Sequence, residues 1–448
     1  MGNIIKKIYI NLFPGKNLFF ALGICALLFL LSFFFPWFGV IPYLAVGTFS
    51  TLLIVDLVLL YRIRDGVFAR RDVPERLSNG DENALQIFVE NHYGFSISIG
   101  LIDEIPFQFQ KRDLWFELNL NAGERKSISY NLRPTKRGEY SFGQLRLYVS
   151  SALGLVNRRF NFGSEQIVKV YPSFLSLRKY ELLAISNRLN ELGIKKIRRI
   201  GHSLEFDQVK SYVQGDDFRT LNWKATARKG ELMVNSFVDE KAQQVYCVID
   251  KSRSMKMPFE GLSLLDYAIN ASLVLSNVAL LKEDKAGLIT VAETVSSIVA
   301  ADRRPAHLNK IMEVLYKEKT RYMETNMEAL YVAVRATLKQ RSLIVFFTNF
   351  ESMSALNRQI PFLKRIAKFH LLLIVFFENS ELVTMAQAPA INVEGIYVKT
   401  IAEKFVMDKK LIVKELAKHG ILSVLTAPEK LTVNVVNRYL AIKSQQKI

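Results

Sequence analysis

The chain has 448 residues, half of them hydrophobic, and a formal net charge of +18. That length fits two or three folding units with ample core, and the charge calls for a negatively charged neighbour, either nucleic acid or an anionic membrane surface. Two cysteines, Cys25 and Cys247, sit in apolar runs and exclude a disulfide framework, while the five histidines show no metal-ligand spacing and no glycine-rich phosphate loop or Gly-x-Ser-x-Gly turn is present.

In chain order, the first feature is apolar. Leu18 to Phe35 is an unbroken run of 18 uncharged residues, and Val40 to Tyr61 is a second run interrupted only by Asp56. Each is long enough to cross a hydrocarbon core of roughly 30 Å as a helix. Residues 36–39 between them, Pro36-Trp37-Phe38-Gly39, allow only a tight turn, so residues 1–64 read as a transmembrane hairpin with spans at about 18–35 and 40–61. A cleaved leader is the alternative, but no small-residue cleavage site follows the first run and a second span does. Lys6, Lys7 and Lys16 precede the hairpin, Arg62, Arg64, Arg70, Arg71 and Arg76 follow it, and the turn carries no Lys or Arg. This asymmetry places both termini on the cytoplasmic side of a cell membrane, with the basic flanks against lipid headgroups. The bilayer is therefore the expected anionic partner, and nucleic acid is not required. Asp56 lies near the end of the second span, where it can reach the interface or the neighbouring helix; the sequence offers it no partner.

From residue 65 to 175 the apolar period becomes two. Segments 84–90, 95–101, 114–120, 126–132, 140–149 and 168–171 alternate or are rich in β-formers, with Asn-Gly, Ala-Gly and Arg-Gly turns between them. Short strands at that spacing predict an all-β, immunoglobulin-like sandwich without a catalytic constellation. Residues 176–240 form a distinct segment. Its first part is expected to be helical and to end in the basic run Lys195-Lys196-Ile197-Arg198-Arg199. The remainder interleaves charges with Phe206, Tyr212 and Trp223, which read as aromatic anchors. Asp217 is placed to cap a short helix containing Arg219 and Trp223, and Glu205, Asp216 and Asp217 read more readily as ion-pair partners of Arg219 and Arg228 than as acid/base groups.

Residues 241–448 alternate strands (245–249, 286–291, 294–299, 342–347, 371–377, 421–425) with helices (263–282, 306–317, 327–339, 355–368, 401–418, 429–442), the pattern of a doubly wound parallel sheet. The first strand runs straight into Asp250-Lys251-Ser252-Arg253-Ser254. One carboxylate and two hydroxyls there suit a hard cation such as Mg²⁺, although Asp and Ser also cap helices. Thr325, in Glu324-Thr325-Asn326, and Asn349, in Thr348-Asn349-Phe350-Glu351, stand at two further loops of the same sheet edge.

These residues resemble the DUF58 family of membrane-anchored proteins that carry a von Willebrand factor A-like domain. The resemblance rests on Gly201-x-x-x-Glu205-Phe206, on Tyr212-x-x-Gly215-Asp216-Asp217-x-Arg219-x-x-x-Trp223-Lys224-x-Thr226-Ala227-Arg228, on Glu240, and on Asp250-x-Ser252-x-Ser254-Met255. Arg137-Gly138-Glu139-Tyr140 and Leu153-Gly154-Leu155 fit the sandwich portion. Lys210 and Asn222 stand where the family usually has Arg and Asp. The resemblance implies a metal-ion-dependent adhesion site of Asp250, Ser252, Ser254, Thr325 and Asn349, holding Mg²⁺ or another divalent cation and leaving a position for a partner's carboxylate. Asn349 departs from the Asp of that pattern and loses a charge. Implied partners are an AAA+ ATPase of the MoxR type and other von Willebrand A-type membrane proteins. The expected function is a non-enzymatic adaptor at the cytoplasmic face of the membrane. The alternative is a metal-dependent hydrolase using Asp250 and nearby carboxylates, against which the chain offers no nucleophile arrangement and no clear general base.

Overall fold

The computed structural model describes residues 9–445 except 36, 38, 112–113, 176–204, 215, 217, 239–242 and 391. The helix expected over 175–200, its basic run, and Gly201, Gly215, Asp217 and Glu240 thus lie wholly or almost wholly outside the described residues. The chain divides into two compact units, Met1–Tyr171 and Pro172–Ile448.

In the first unit, strand β1 (Leu12–Pro14) precedes helices α1 (Lys16–Phe34) and α2 (Ile41–Arg62). Both helices are long and apolar enough to cross a membrane, and little of either is buried within the protein. Strands β2 (Val67–Asp72), β3 (Arg76–Ser78), β4 (Asn83–Asn91), β5 (Ile97–Asp103), β6 (Trp115–Leu120), β7 (Arg125–Leu132), β8 (Gly138–Phe142), β9 (Leu145–Ser150), β10 (Val156–Phe162) and β11 (Gln166–Tyr171) follow. They form a five-stranded sheet β1-β10-β9-β5-β6 and two three-stranded sheets, β2-β4-β7 and β3-β11-β8. Period-two patterning is clear where one face is covered: alternate residues of β4 from Asn83 to Asn91 are buried. Four strands were not legible. β1 stands before the hairpin yet pairs antiparallel with β10, β3 is only three residues long, and β2 and β10 are rich in arginine. Arg71 of β2 is no headgroup contact. Its guanidinium is buried against Asp103, donates to Gly143 O at 2.8 Å and stacks over Phe142. Burial pushes the Asp103 carboxyl above its usual range, against the opposing pull of Arg71.

The second unit begins with a two-stranded ribbon, β12 (Glu205–Ser211) and β13 (Met233–Val238), enclosing the short helix α3 (Trp223–Lys229). Asn222 caps α3, its side-chain carbonyl accepting from Ala225 N–H at 3.0 Å, and the cap expected of Asp217 falls outside the described residues. Then come β14 (Gln244–Asp250), a minor hairpin of β15 (Pro258–Phe259) and β16 (Leu262–Ser263), α4 (Leu264–Leu281), β17 (Lys285–Val291), β18 (Val295–Asp302), α5 (His307–Lys317), α6 (Met327–Thr337), β19 (Leu343–Phe347), α7 (Met353–Ala367), β20 (Leu371–Phe377), α8 (Ser380–Gln387), α9 (Val393–Lys418), β21 (Leu422–Thr426) and α10 (Leu431–Ser444). The sheet order is β18-β17-β14-β19-β20-β21. It is mixed rather than purely parallel. β18 runs antiparallel to β17 because three residues join them, too few for a crossover. Successive residues of β14 face opposite cores: Val245, Cys247 and Ile249 pack with α4, α5 and α10, whereas Tyr246 and Val248 pack with α6, α7 and α9. The sheet is therefore wound on both faces. Helix α4 is also apolar and long enough to cross a membrane, but most of it is buried in this core.

Candidate functional site

Helix α4, which follows β14, covers one face of the sheet, and α7, which follows β19, covers the other. Between β14 and β19 the winding reverses, and a crevice opens at their carboxyl ends. Asp250 is the last residue of β14 and is 1% exposed. Its Oδ1 accepts from Ser252 N–H at 2.8 Å and from the Thr325 hydroxyl at 2.5 Å, and its Oδ2 accepts from the Thr348 hydroxyl at 2.7 Å. The Ser252 and Ser254 hydroxyls lie 3.0 Å apart. Thr325 is brought in by the loop before α6, which docks through Asn326 N–H to Ala292 O at 2.7 Å and Arg321 N–H to Lys251 O at 2.7 Å. Asp250, Ser252, Ser254 and Thr325 thus meet as the sequence predicts. Burial pushes the Asp250 carboxyl above its usual range, while the Thr325, Thr348 and Ser252 donors pull it down.

Asn349 does not join them as an oxygen donor. Its side-chain carbonyl accepts from the Lys409 ammonium at 2.7 Å, and its amide faces Ser254 O at 3.4 Å. Lys409 also donates to Phe350 O at 2.5 Å and lies 5.7 Å from the Phe376 ring centroid. Burial pushes the Lys409 ammonium down to about 8. Of the cations near Asp250, Lys251 is turned away, whereas Arg253 and Arg358 line the cleft and pair with carboxylates at its mouth. Lys251 is buried in an ion pair with Glu318 at 2.5 Å, and Glu318 also accepts from the Thr290 and Ser297 hydroxyls at 2.9 and 2.8 Å. Arg253 is exposed, 3.9 Å from Glu351, and Arg358 pairs with Glu324 at 3.3 Å across the mouth.

The cleft has a volume of about 60 Å³. That is room for an ion with a few waters, and far below the volume of a pocket for an organic substrate. Among the described residues no three His, Cys, Asp or Glu side chains gather in a group that could hold a metal ion. Asp250, Ser252, Ser254 and Thr325 fit a hard divalent cation that keeps part of its water. Asn349 does not fit, because its oxygen is already bonded to an ammonium.

The signature residues lie on the first strand of the ribbon and on the segment, including α3, that joins its two strands. Glu205 is the first residue of β12. The Tyr212 and Phe218 rings are 5.3 Å apart. Asp216 pairs with Lys210 rather than Arg219, at 2.9 Å, and accepts from Val213 N–H at 3.0 Å, so that its carboxyl sits below the usual range. It is not poised as an acid or base at neutral pH. Trp223 is 70% exposed, the opposite of the anchoring role expected for it, and Phe218 is 67% exposed. Arg219 and Arg228 are exposed as well. Three residues that shape the site were missed: Thr348, Glu318 and Lys409. Thr348 stands at the third loop beside Asn349; the other two are distant in sequence and carry no local signal.

The chain thus combines a first unit of two apolar membrane-length helices and a mostly-β region with a doubly wound α/β second unit that carries an oxygen-lined cleft at its switch point. The family described as "Protein of unknown function DUF58" matches residues 208–381, which include Asp250, Ser252, Ser254, Thr325 and Asn349. Among curated proteins, the "Uncharacterized protein YeaD" of Bacillus subtilis (strain 168) is 25% identical over 217 residues, 45% of this chain and 52% of the relative. The chain thus matches about half the length of that relative. Among solved structures, the conserved hypothetical protein BatB from Bacteroides thetaiotaomicron is similar over 46% of this chain and 100% of its own, at 16% identity and a TM-score of 0.31. An aerotolerance-related membrane protein from Bacteroides fragilis NCTC 9343 is similar over the same shares, at 14% identity and a TM-score of 0.29.

Proposed function

We propose that this chain is a membrane-anchored, non-enzymatic adaptor whose α/β unit faces the cytoplasm and presents the Asp250 cleft to a protein partner. The observation that carries the reading is a buried carboxylate that forms no ion pair with any cation among the described residues. Asp250 is surrounded by hydroxyls and one amide, while the adjacent Lys251 is turned away and neutralised by Glu318. A buried charge of this kind is costly unless paired, and a divalent cation supplies the pairing. Ser252, Ser254, Thr325 and Asp250 would hold it, and a carboxylate from the partner would complete its shell. With Asn349 tied to Lys409, and Glu324 and Glu351 at the mouth paired with Arg358 and Arg253, Asp250 is the one carboxylate among these ligands, so the cation binds weakly until the partner adds its own charge. The α/β unit is read as von Willebrand A-like, and the partner as an AAA+ ATPase of the MoxR type, following the family resemblance. Exposed Trp223 and Phe218, in the segment that joins the ribbon's two strands, give a second surface suited to protein contact.

The test is capture from native membranes with the full chain in lipid nanodiscs, in Mg²⁺ and in chelator, beside Asp250→Ala. Retention of an ATPase only with Mg²⁺ and intact Asp250 is the expected result. Equal retention in all three arms would keep the adaptor role but move it off this cleft. No specific retention in any arm would overturn the reading.

A further inference from the structure

Asp56 is a carboxylate within an apolar helix, 0% exposed, and no cation among the described residues forms an ion pair with it. Its oxygens accept from the backbone N–H groups of Leu155 and Val156, both at 3.0 Å, and from the Ser151 hydroxyl. Ser151 and Leu155 belong to the loop between β9 and β10, Ser151-Ala152-Leu153-Gly154-Leu155, and Val156 is the first residue of β10. The other side of that loop is held by the first helix. Asn17 Nδ2 donates to Leu153 O at 2.9 Å, and Gly15 N–H donates to Leu155 O at 2.9 Å. The approach is so close that a Cβ on Gly15 would stand 2.1 Å from Gly154 O, and Gly154 itself adopts φ +65°. Leu153 N–H is met by Ser151 Oγ at 3.1 Å.

The depth of this contact follows from helix geometry. Asp56 lies six residues before Arg62, the last residue of α2, which is about 9 Å along the axis. The whole of α2 spans about 33 Å, against a hydrocarbon core of about 30 Å. A loop bonded to Asp56 therefore reaches the level of the acyl chains when α2 spans the bilayer. Non-helical backbone survives there only if its polar groups are satisfied by protein. Protein meets much of that need: the N–H groups of Leu153, Leu155 and Val156 and the carbonyls of Leu153 and Leu155 have partners, and the remaining side chains of the tip, Ala152, Leu153 and Leu155, are apolar.

We propose that the Ser151–Leu155 loop is a third membrane-embedded element, a wedge in the acyl boundary of the cytoplasmic leaflet, with Asp56 as its positioning residue. The proposal rests on the membrane-spanning reading of the hairpin. It explains why a carboxylate is tolerated in an apolar helix: Asp56 supplies the acceptors that an immersed loop cannot take from water. Arg158 and Tyr93 extend the same joint at the end of α2. Arg158 donates to Leu60 O at 2.5 Å and Ile63 O at 2.6 Å, and the Tyr93 hydroxyl donates to Leu60 O at 2.8 Å. The all-β domain is thereby seated directly on the lipid surface in one orientation.

The test uses the full chain with Cys25→Ala and Cys247→Ala, in vesicles of phosphatidylglycerol and phosphatidylcholine. Single cysteines at Ala152→Cys, Leu52→Cys on the exposed face of α2, and Gln144→Cys at the opposite end of β9 carry an environment-sensitive fluorophore. Doxyl-labelled lipids and aqueous iodide are the quenchers. The expected pattern is lipid quenching with loss of iodide quenching at positions 152 and 52, and the reverse at 144. Iodide quenching at 152, with 52 still lipid-exposed, overturns the wedge and leaves the span intact. Quenching of 152 by neither agent places the loop inside protein and also overturns the wedge. Iodide quenching at 52 overturns the spanning reading and the wedge with it. Adding Asp56→Ala to Ala152→Cys is expected to restore iodide quenching at 152 and leave position 52 unchanged when 52 is labelled instead. No change at 152 would remove Asp56 from its positioning role.

Discussion

Asp250 shows how much chemistry a single residue inherits from its place on a sheet. As the last residue of β14 it has no freedom to reach solvent, so its charge must be met by what the neighbouring loops bring. They bring hydroxyls from Thr325 and Thr348 and one backbone amide. Because burial raises its pKa in the folded chain, the native state holds the Asp250 proton more tightly than the unfolded chain does. The resulting penalty is absent below the unfolded pKa and fully present above the folded one, so it destabilises the fold at neutral pH. Asp250→Asn is therefore expected to raise the melting temperature in chelator, with a larger gain at neutral than at mildly acidic pH, as followed by calorimetry. A variant less stable than the native chain at both values would show that the three donors outweigh burial. The first and second loops of the site were legible, because Asp-x-Ser-x-Ser and a Thr before a helix are local patterns. The state of Asn349 was not. Lys409, which claims its oxygen, comes from α9, 60 residues further along the chain.

Among the elements, α4 is the one whose ends and interior can both be traced to sequence. Ser263 accepts from Asp266 N–H at 3.2 Å and Asp266 reaches back to Ser263 N–H at 3.2 Å, a reciprocal cap that fixes where the helix starts. Ser263→Ala is expected to cost about 1 kcal/mol in chemical denaturation. Loss of less than a few tenths would mean that core packing alone sets the helix start. Hydropathy by itself misleads here, since α4 is also long and apolar enough to cross a membrane, though less apolar than α1 and α2. Sheet and helix neighbours cover α4, whereas the faces of α1 and α2 remain largely open. Strands β2 and β10 illustrate the opposite failure. Their arginines read as lipid flanks or loop, yet Arg71 and Arg158 are structural, one closed on Asp103 and the other on the carbonyls at the end of α2. The long side chain buries its stem and delivers its charge to a fixed acceptor, and no local period reveals that.

At the scale of the molecule, the chain is two units joined at Tyr171–Pro172. Both hydrophobic clusters of the second unit draw only on residues between Val245 and Ile442. Residues 172–448 expressed alone are therefore expected to keep a cooperative thermal transition by far-ultraviolet circular dichroism. A broad, non-cooperative melt would show that the α/β unit depends on the rest of the chain. The first unit has no such independence from its hairpin. β1 precedes α1 and pairs with β10, and Asp56 bonds the β9–β10 loop, so hairpin and strands form one body.

The sequence by itself determined the features that depend on near neighbours: two membrane-length apolar runs, period-two strands, the strand–helix alternation, and the Asp250 loop at a strand end. Tertiary structure decided the features that depend on which distant segments meet. β18 runs antiparallel, Lys251 turns to Glu318, Lys409 takes the Asn349 oxygen, and Asp56 finds three donors nearly a hundred residues away in the chain. The physical reason is the same in each case. Periodicity and capping are set by the backbone within a few residues, whereas a buried polar group must be satisfied by whatever packs against it, and that is fixed only when the chain has closed on itself.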